Sequence, residues 1–413
     1  MNRRDLIKNT LLAAGGAALL SGCSSDLSTS YNPNNLTDDD IDITPKMTAK
    51  YYKFSVPMPF NYQTIDEMVA LNKHYSKSKI TVLHQNIPMP LSKLDDWLQV
   101  NRGENKDIQS INDFLQYVEY SYKKGFDFVY LLNSPRPFTP HDISVFEKDL
   151  FHLIDRLREV GCKYIKVANT QLAQLIMQKR KDIKLHASTT FEYNSLMEYR
   201  YLFETYPNII GYDLPYNEAQ NFRLIRELKK EFPDKELEIM VNEPCIKYCP
   251  CRIQHMAMPV NELLGFDCGQ VNKDNPFLFF TKTSKIFPWQ MQYYSAIGVN
   301  NFKFSAWPDR RANFTNLSYI KTYFDLIENK FEEGWENEIA INYFKVWLGD
   351  KKMADRFHPA IRLKDVAKLL PDIRHFVKFG DRCAATCGGS CKYCFECAEK
   401  LKKRLMYWAD ENV

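Results

Sequence analysis

Apolar and polar positions along this chain follow two rhythms that replace one another in turn. Short apolar runs of strand length alternate with longer stretches in which apolar residues recur every three or four positions. Lys53–Val56 is a strand ended by Pro57 and Pro59, and from Thr64 a helix carries Ile65, Met68, Val69 and Asn72 on successive turns. Strands follow at Ile80–Leu83, Phe126–Leu132, Lys163–Val167, Ile183–His186, Ile209–Asp213, Leu237–Val241 and Asn301–Ser305. Between and after them the helical period covers Ile108–Lys124 (Ile111, Leu115, Val118 and Tyr122 on one face), Ile143–Val160, Thr170–Lys179, Asn194–Thr205, Asn217–Glu231, Pro288–Ile297 and Ile320–Phe331. Eight strands, nearly every one followed by a helix, predict a parallel (β/α)8 TIM-like barrel over residues 50–331. An open doubly wound sheet is the competitor. It would place a Gly-rich phosphate loop after the first strand, where Pro57-Met58-Pro59-Phe60-Asn61 stands instead.

Barrels of this kind collect their chemistry in the loops at the C-terminal ends of the strands. Those positions carry Asn61, His84, Asn133, His186, Asn242 and Arg310, which we take as candidate substrate-binding residues. Helix capping and turn formation also favour Asn in such places, so each Asn has a structural reading beside the functional one. The two histidines can equally be barrel-interior side chains.

The loop after the seventh strand is denser in chemistry. In ELEIMVNEPCIKYCPCRIQH, residues 236–255, Cys245, Cys249 and Cys251 lie within seven residues, followed by Arg252 and His255. Arg252 is placed to bind an anion and His255 to handle a proton, which makes them the candidate catalytic pair; equally, Arg252 can cap a strand end and His255 can be a satisfied wall residue. A second group, Cys383, Cys387, Cys391, Cys394 and Cys397, closes the chain, with Gly388 and Gly389 letting the backbone curl close to a bound group. Of the eleven cysteines, only Cys162 and Cys268 stand apart from these groups and from Cys23. Disulfide frameworks spread their cysteines, whereas metal sites bunch them. The eight clustered thiols suit one or two 4Fe–4S clusters; zinc with four thiolates is the first alternative and disulfides the second.

The flanks differ from the barrel in composition. Residues 1–23 pair Arg3 and Arg4 with a short apolar run, Leu11 to Leu20, and end in Leu20-Ser21-Gly22-Cys23. This reads as a twin-arginine export signal with a lipobox whose Cys23 is acylated. The run is shorter than the ~20 residues that span a bilayer. Residues 24–49, polar and including Asp38-Asp39-Asp40, read as a flexible tether. Residues 332–413 read as a helical, Cys-rich appendix expected to fold back over the barrel mouth. The expected location is therefore the extracytoplasmic side of a bacterial membrane, held through Cys23. A net charge of +4 over 413 residues argues against coating nucleic acid.

Val241-Asn242-Glu243-Pro244-Cys245, continuing through Cys249-Pro250 to Arg252 and His255, resembles the collagenase-like peptidase family U-thirty-two (U32). So do Tyr130-Leu131-Leu132-Asn133, Lys285-Ile286-Phe287-Pro288 with Tyr294 and Gly298, and Phe302-Lys303-Phe304. The resemblance covers about residues 50–330. It implies a TIM-like barrel with a 4Fe–4S cluster at its mouth and Cys245 and Cys249 among the ligands. Several members take part in oxygen-independent hydroxylation of ubiquinone precursors or of RNA bases. Cys251 departs from the commoner pattern, and an export leader does not suit RNA or cytoplasmic quinone precursors. The expected function is a redox enzyme, by hydroxylation or electron transfer, acting on a small molecule with a separate redox partner. A lipid-anchored electron carrier or binding protein is the alternative. A peptidase is less favoured, because the sequence offers no Gly-x-Ser-x-Gly, no His-Glu-x-x-His and no lone activated thiol.

Overall fold

The computed structural model describes residues 41–87, 108–162, 164–243, 245–250, 252–253, 277–305, 317–328 and 367–410. Everything below belongs to one compact unit, Asp42–Val413. Its centre is a closed barrel of eight parallel strands in sequence order. These are β1 (Tyr52–Pro57), β2 (Ser78–Gln85), β3 (Asp127–Leu132), β4 (Tyr164–Val167), β5 (Lys184–Ala187), β6 (Ile209–Asp213), β7 (Glu236–Met240) and β8 (Asn301–Lys303). Closure is made by β1 on β8, with Phe54 opposite Phe302. The TIM-like architecture expected from the two rhythms is therefore the fold.

The helices of the outer ring are α1 (Tyr62–His74), α2 (Ile111–Lys123), α3 (Pro140–Glu159), α4 (Thr170–Lys179), α5 (Leu196–Thr205), α6 (Phe222–Glu231), α7 (Leu278–Thr281), α8 (Met291–Ala296) and α9 (Leu317–Ile327). The starts of α1 to α6 follow side-chain capping rather than the apolar period. Asn61 caps α1, its side chain accepting from Thr64 N, so the helix begins at Tyr62 rather than Thr64. Thr139 and Asp142 form a capping box before Pro140, so α3 begins earlier than its first apolar residue. The buried face of α2 turns towards Phe114, which packs with Phe128 and Tyr130, while Leu115 and Val118 stay in the seam.

The apolar core lies between strands and helices. Phe54 sits among Phe302, Phe304, Tyr323 and Phe324, the last with ring centroids 4.8 Å apart. The tether expected to run to residue 49 ends earlier. Ile43 is buried, Lys46 N donates to Gln292 O, and Thr48 bonds both the hydroxyl and the carbonyl of Ser295.

The C-terminal segment contributes α10 (Ile373–Phe379), the single turn α11 (Cys383–Thr386) and α12 (Tyr393–Asp410). It packs on the barrel's helical ring beside α6 and α7. A Cβ built on Gly380 would stand 2.1 Å from Gln220 O, so glycine is what allows this approach. Asp381 pairs with Arg223 of α6 at 3.1 Å, and Lys282, just after α7, lies over the Phe395 ring. The first part of the expected appendix, residues 332–366, and the leader with Cys23 lie outside the described residues. Among the described residues no helix is long and apolar enough to cross a membrane.

Candidate functional site at the barrel mouth

The loop leaving β7 is fixed by its neighbours before its chemistry begins. Val241 N donates to Lys303 O, and Ile286 N donates to Val241 O. The Asn242 side chain clamps the end of β8, donating to Ser305 O and accepting from Ser305 N at 2.7 Å. Ile246 bridges Thr283, and Lys247 N donates to Lys282 O. Tyr248 then takes a left-handed backbone, φ 58°, with its N–H bound to Asn217 Oδ1 at 2.9 Å. For a residue with a Cβ this costs roughly 1–2 kcal/mol. The strain turns the chain so that Arg252 N reaches Cys249 O and the guanidinium is carried back into the protein.

Arg252 is 3% exposed. Its Nε donates to Glu192 at 2.8 Å, Glu243 lies 3.5 Å from Nη1, and the guanidinium rests over Tyr216. Burial works against its charge, but Glu243, Cys245 and Glu192 outweigh it and hold the pKa above the ordinary value. Among the described residues neither Nη1 nor Nη2 makes a hydrogen bond. Lys285 is buried beside Glu243 and Cys245; burial drives its pKa well down against the pull of those two groups. A fixed guanidinium with two unsatisfied donor nitrogens is suited to a carboxylate or another small oxyanion.

The terminal thiols meet this loop from the other side of the sequence. Cys387 N donates to Cys383 O, Gly388 N to Cys391 O, and Cys391 N to Thr386 O, with Gly388 at φ 81°. The turn is a compact knuckle that only a left-handed residue completes. Cys383 is raised by burial, opposed by the Lys247 ammonium and reinforced by Cys391, Cys387 and Glu218. Burial pushes the Cys394 thiol up to about 12, again against Lys247 and with Cys383, Cys397 and Cys387 as neighbours. Cys383 and Cys387 also raise Tyr248, after its burial. The tail thiols thus adjoin the Lys247–Tyr248 turn, two residues past Cys245. None of the eight described cysteines is in a disulfide, and among the described residues no three His, Cys, Asp or Glu side chains stand at metal-coordinating spacing. Cys162 is separate, its thiol buried against the carbonyls of Tyr164 and Phe128 and raised to about 12 by burial.

Inside the barrel the strands carry charge where aliphatic layers are usual. Lys166 Nζ bridges Asp213 at 2.6 Å and Glu238 at 2.7 Å, Lys303 Nζ lies 3.1 Å from Asp213, and His186 Nδ1 lies 3.3 Å from it. A Cβ on Gly211 would meet the His186 ring at 2.4 Å, so the imidazole occupies the space a side chain would take. Burial alone would raise Asp213; Lys166 and Lys303 together hold it well below the carboxylate range. Glu238 is raised, by burial first, and Lys303 is lowered by burial. His84 bonds Ser55 Oγ through Nδ1 at 2.8 Å, and burial holds its pKa well down. Lys166, Glu238 and His186 form the inner wall of a cavity of about 330 Å3 that opens at the N-terminal ends of the strands, past Lys53, Asp127 and Glu236.

The six expected substrate residues therefore separate. Asn61 caps α1 on the surface, Asn242 clamps β8, and His84 and His186 lie in the barrel interior. Asn133 is half-buried, and its carbonyl accepts from Thr190 Oγ1. Arg310, Cys251 and His255 lie outside the described residues. Lys166, Glu238 and Lys303 were not expected as a group. Their signal is a charged residue alternating with apolar ones inside a strand, as in Tyr-Ile-Lys-Val and Phe-Lys-Phe.

No protein-family model matches the chain, and no curated protein matches it at a significant level. Among solved structures it is similar to the U32 peptidase Mk0906, at 11% identity and a TM-score of 0.42 over 65% of this chain and 97% of that one. It is similar to the N-acetylneuraminate lyase from Fusobacterium nucleatum, at 12% identity and a TM-score of 0.33 over 86% and 99% of the two chains. The O-GlcNAc hydrolase of Thermobaculum terrenum gives 12%, 0.41, 78% and 70% in the same order. Likeness this distant identifies no activity.

Proposed function

We propose that this chain is an iron–sulfur protein in which Cys383, Cys387, Cys391 and Cys394 hold a 4Fe–4S cluster against the loop after β7. The neighbouring mouth binds a small anionic molecule for a redox reaction. The observation that carries the reading is the gathering of four free thiols in one short turn, where the Cys387 backbone bridges Cys391, with the buried Lys247, 5% exposed, acting on Cys383 and Cys394. Four soft donors in a short, glycine-turned loop suit iron–sulfur or zinc, and the adjacent ammonium suits the negative charge that four thiolates carry. Cys245 and Cys249 are available to a second centre at the mouth, with Cys251 beyond them. Bound there, a cluster supplies one-electron transfer.

The chain's own residues supply the rest. Arg252, fixed by Glu192 and flanked by Glu243, offers its two terminal nitrogens to the anion. His255 keeps the proton-handling role assigned from sequence. The twin-arginine leader and Cys23 are consistent with a protein exported with its cofactor in place and tethered to a membrane. Zinc at the same thiols is the competing occupant.

The test is metal analysis of anaerobically purified protein, with iron and sulfide quantification and EPR after reduction. Iron and acid-labile sulfide are expected in the wild type and in C162S, and both should be lost in C387S and C394S. A colourless protein loaded with zinc would overturn the reading.

A further inference from the structure

The cavity of about 330 Å3 lies at the N-terminal ends of the strands, the end of the barrel away from the β7 loop. Branched aliphatic side chains normally fill a barrel interior. Here Ser55 and Thr81 bring small polar side chains to the wall, and the His186 ring takes the space beside Gly211. The volume left open is at the small end of the ~300–1,000 Å3 that small-molecule sites occupy. Glu238 lines it with 12% of its side chain exposed. His186, 7% exposed, shares that wall, and its Nδ1 makes no hydrogen bond among the described residues. Charges set beside open space, where aliphatic packing would have been cheaper, point to a ligand.

The charges say what kind of ligand. Lys166, Lys303, Asp213 and Glu238 cancel among themselves within their network. The lip adds two exposed carboxylates, Asp127 and Glu236, against one ammonium, Lys53. Neither carboxylate makes an ion pair among the described residues. The cavity therefore holds one negative charge in surplus, and it lies at the opening. These carboxylates are not gathered closely enough for a metal ion, since no three such groups among the described residues stand at coordinating spacing. They are spread along the cavity instead. Glu236 and Glu238 project from one face of β7, two residues and so about 7 Å apart. We propose that this end of the barrel binds a small primary amine with a polar tail. Its ammonium sits at the lip with Asp127 and Glu236, and its hydroxyl reaches inwards to Glu238 and His186. A four-carbon amino alcohol, extended, separates its nitrogen and oxygen by a length similar to the spacing of the two β7 carboxylates. The ionic network has a use in this arrangement, because Lys166, held by Asp213, fixes the carboxylate that meets the tail. The site owes nothing to the terminal thiols, so the iron content of the protein does not bear on it.

The experiment is calorimetric titration of the full chain with 4-amino-1-butanol, 1-aminobutane, butane-1,4-diol and 4-hydroxybutyrate, which share one chain length and differ in charge and tail. The amino alcohol should bind most tightly, 1-aminobutane more weakly for want of the hydroxyl, and the neutral diol and the anion not measurably. The double variant D127N/E236Q removes the surplus charge from exposed positions and should weaken the amino alcohol by about tenfold or more. E238Q should instead erase the preference for the amino alcohol over 1-aminobutane. If E238Q does not accumulate folded, T81F takes its place, because a ring brought into the wall should exclude the tail. No binding of either amine would overturn the inference. So would equal binding of the diol, or wild-type affinity in D127N/E236Q. Two amines bound alike by the wild type would mark a charged surface rather than a cavity, and would overturn it too.

Discussion

Single positions decide how closely the pieces of this molecule approach. Gly380 is the sharpest case, since its missing Cβ is what lets the appendix reach Gln220 O. G380A should destabilise the fold by about 1–3 kcal/mol through overpacking against backbone that cannot yield. Thermal unfolding would check this, and an unchanged midpoint would mean that the appendix is not held there. Arg252 is a contrasting residue, overcommitted in charge and undercommitted in hydrogen bonds. It was singled out from sequence, because a basic residue following a cysteine-rich turn invites an anion. Its partner Glu192 was not legible: it arrives from the turn after β5, sixty residues away, with a left-handed backbone at φ 54°. Asn61 shows the converse. Its position after a strand fitted a binding rim, but the same position is where a helix needs its cap, and capping is its observed use.

At the level of elements, the strands carry two patterns at once. Their outward residues are aromatic and aliphatic and were readable as an alternating or continuous apolar run. Their inward residues include Lys166, Asp213, Glu238 and Lys303, which form one ionic network. That network was illegible because strand membership says which residues face inwards, not which of them meet across the barrel. Its pH behaviour follows from the shifts. Asp213 is depressed, so the unfolded chain binds its proton more readily; its contribution is full above about pH 4 and is lost as pH falls through the lower folded value. Lys166 is raised, so its contribution is full below about pH 10.4 and is lost as pH rises through the folded value. These two contributions should therefore hold across the interval between and decline at each end. D213N leaves two buried ammonium groups without their shared partner and should cost about 3–5 kcal/mol at neutral pH. Urea denaturation from pH 3 to 7 should show the variant losing less than the wild type towards acid. Parallel curves would show that Asp213 does not carry the acid dependence.

For the whole molecule, the barrel was the most legible feature, because eight repeats of one rhythm leave few architectures open. The docking of the last helices was legible only as an expectation from surplus thiols. The contacts that realise it, Gly380 on Gln220, Asp381 on Arg223 and Lys282 over Phe395, have no periodicity to announce them. Ending the chain at residue 366 would uncover Gln220, Arg223 and the Lys247 ammonium together. The truncated protein should unfold at a lower temperature than the full chain, and calorimetry of the two side by side would read the difference. Equal midpoints would show that the barrel does not lean on its tail.

The knuckle from Cys383 to Cys394 has a further consequence, which concerns time rather than energy. Its thiols follow the whole barrel in the chain, and they dock on a loop that already needs β8 in place beneath it. A centre assembled on them closes only after the barrel has closed. Occupancy of that centre would then report that the barrel has closed, a completion mark written into the order of the chain itself.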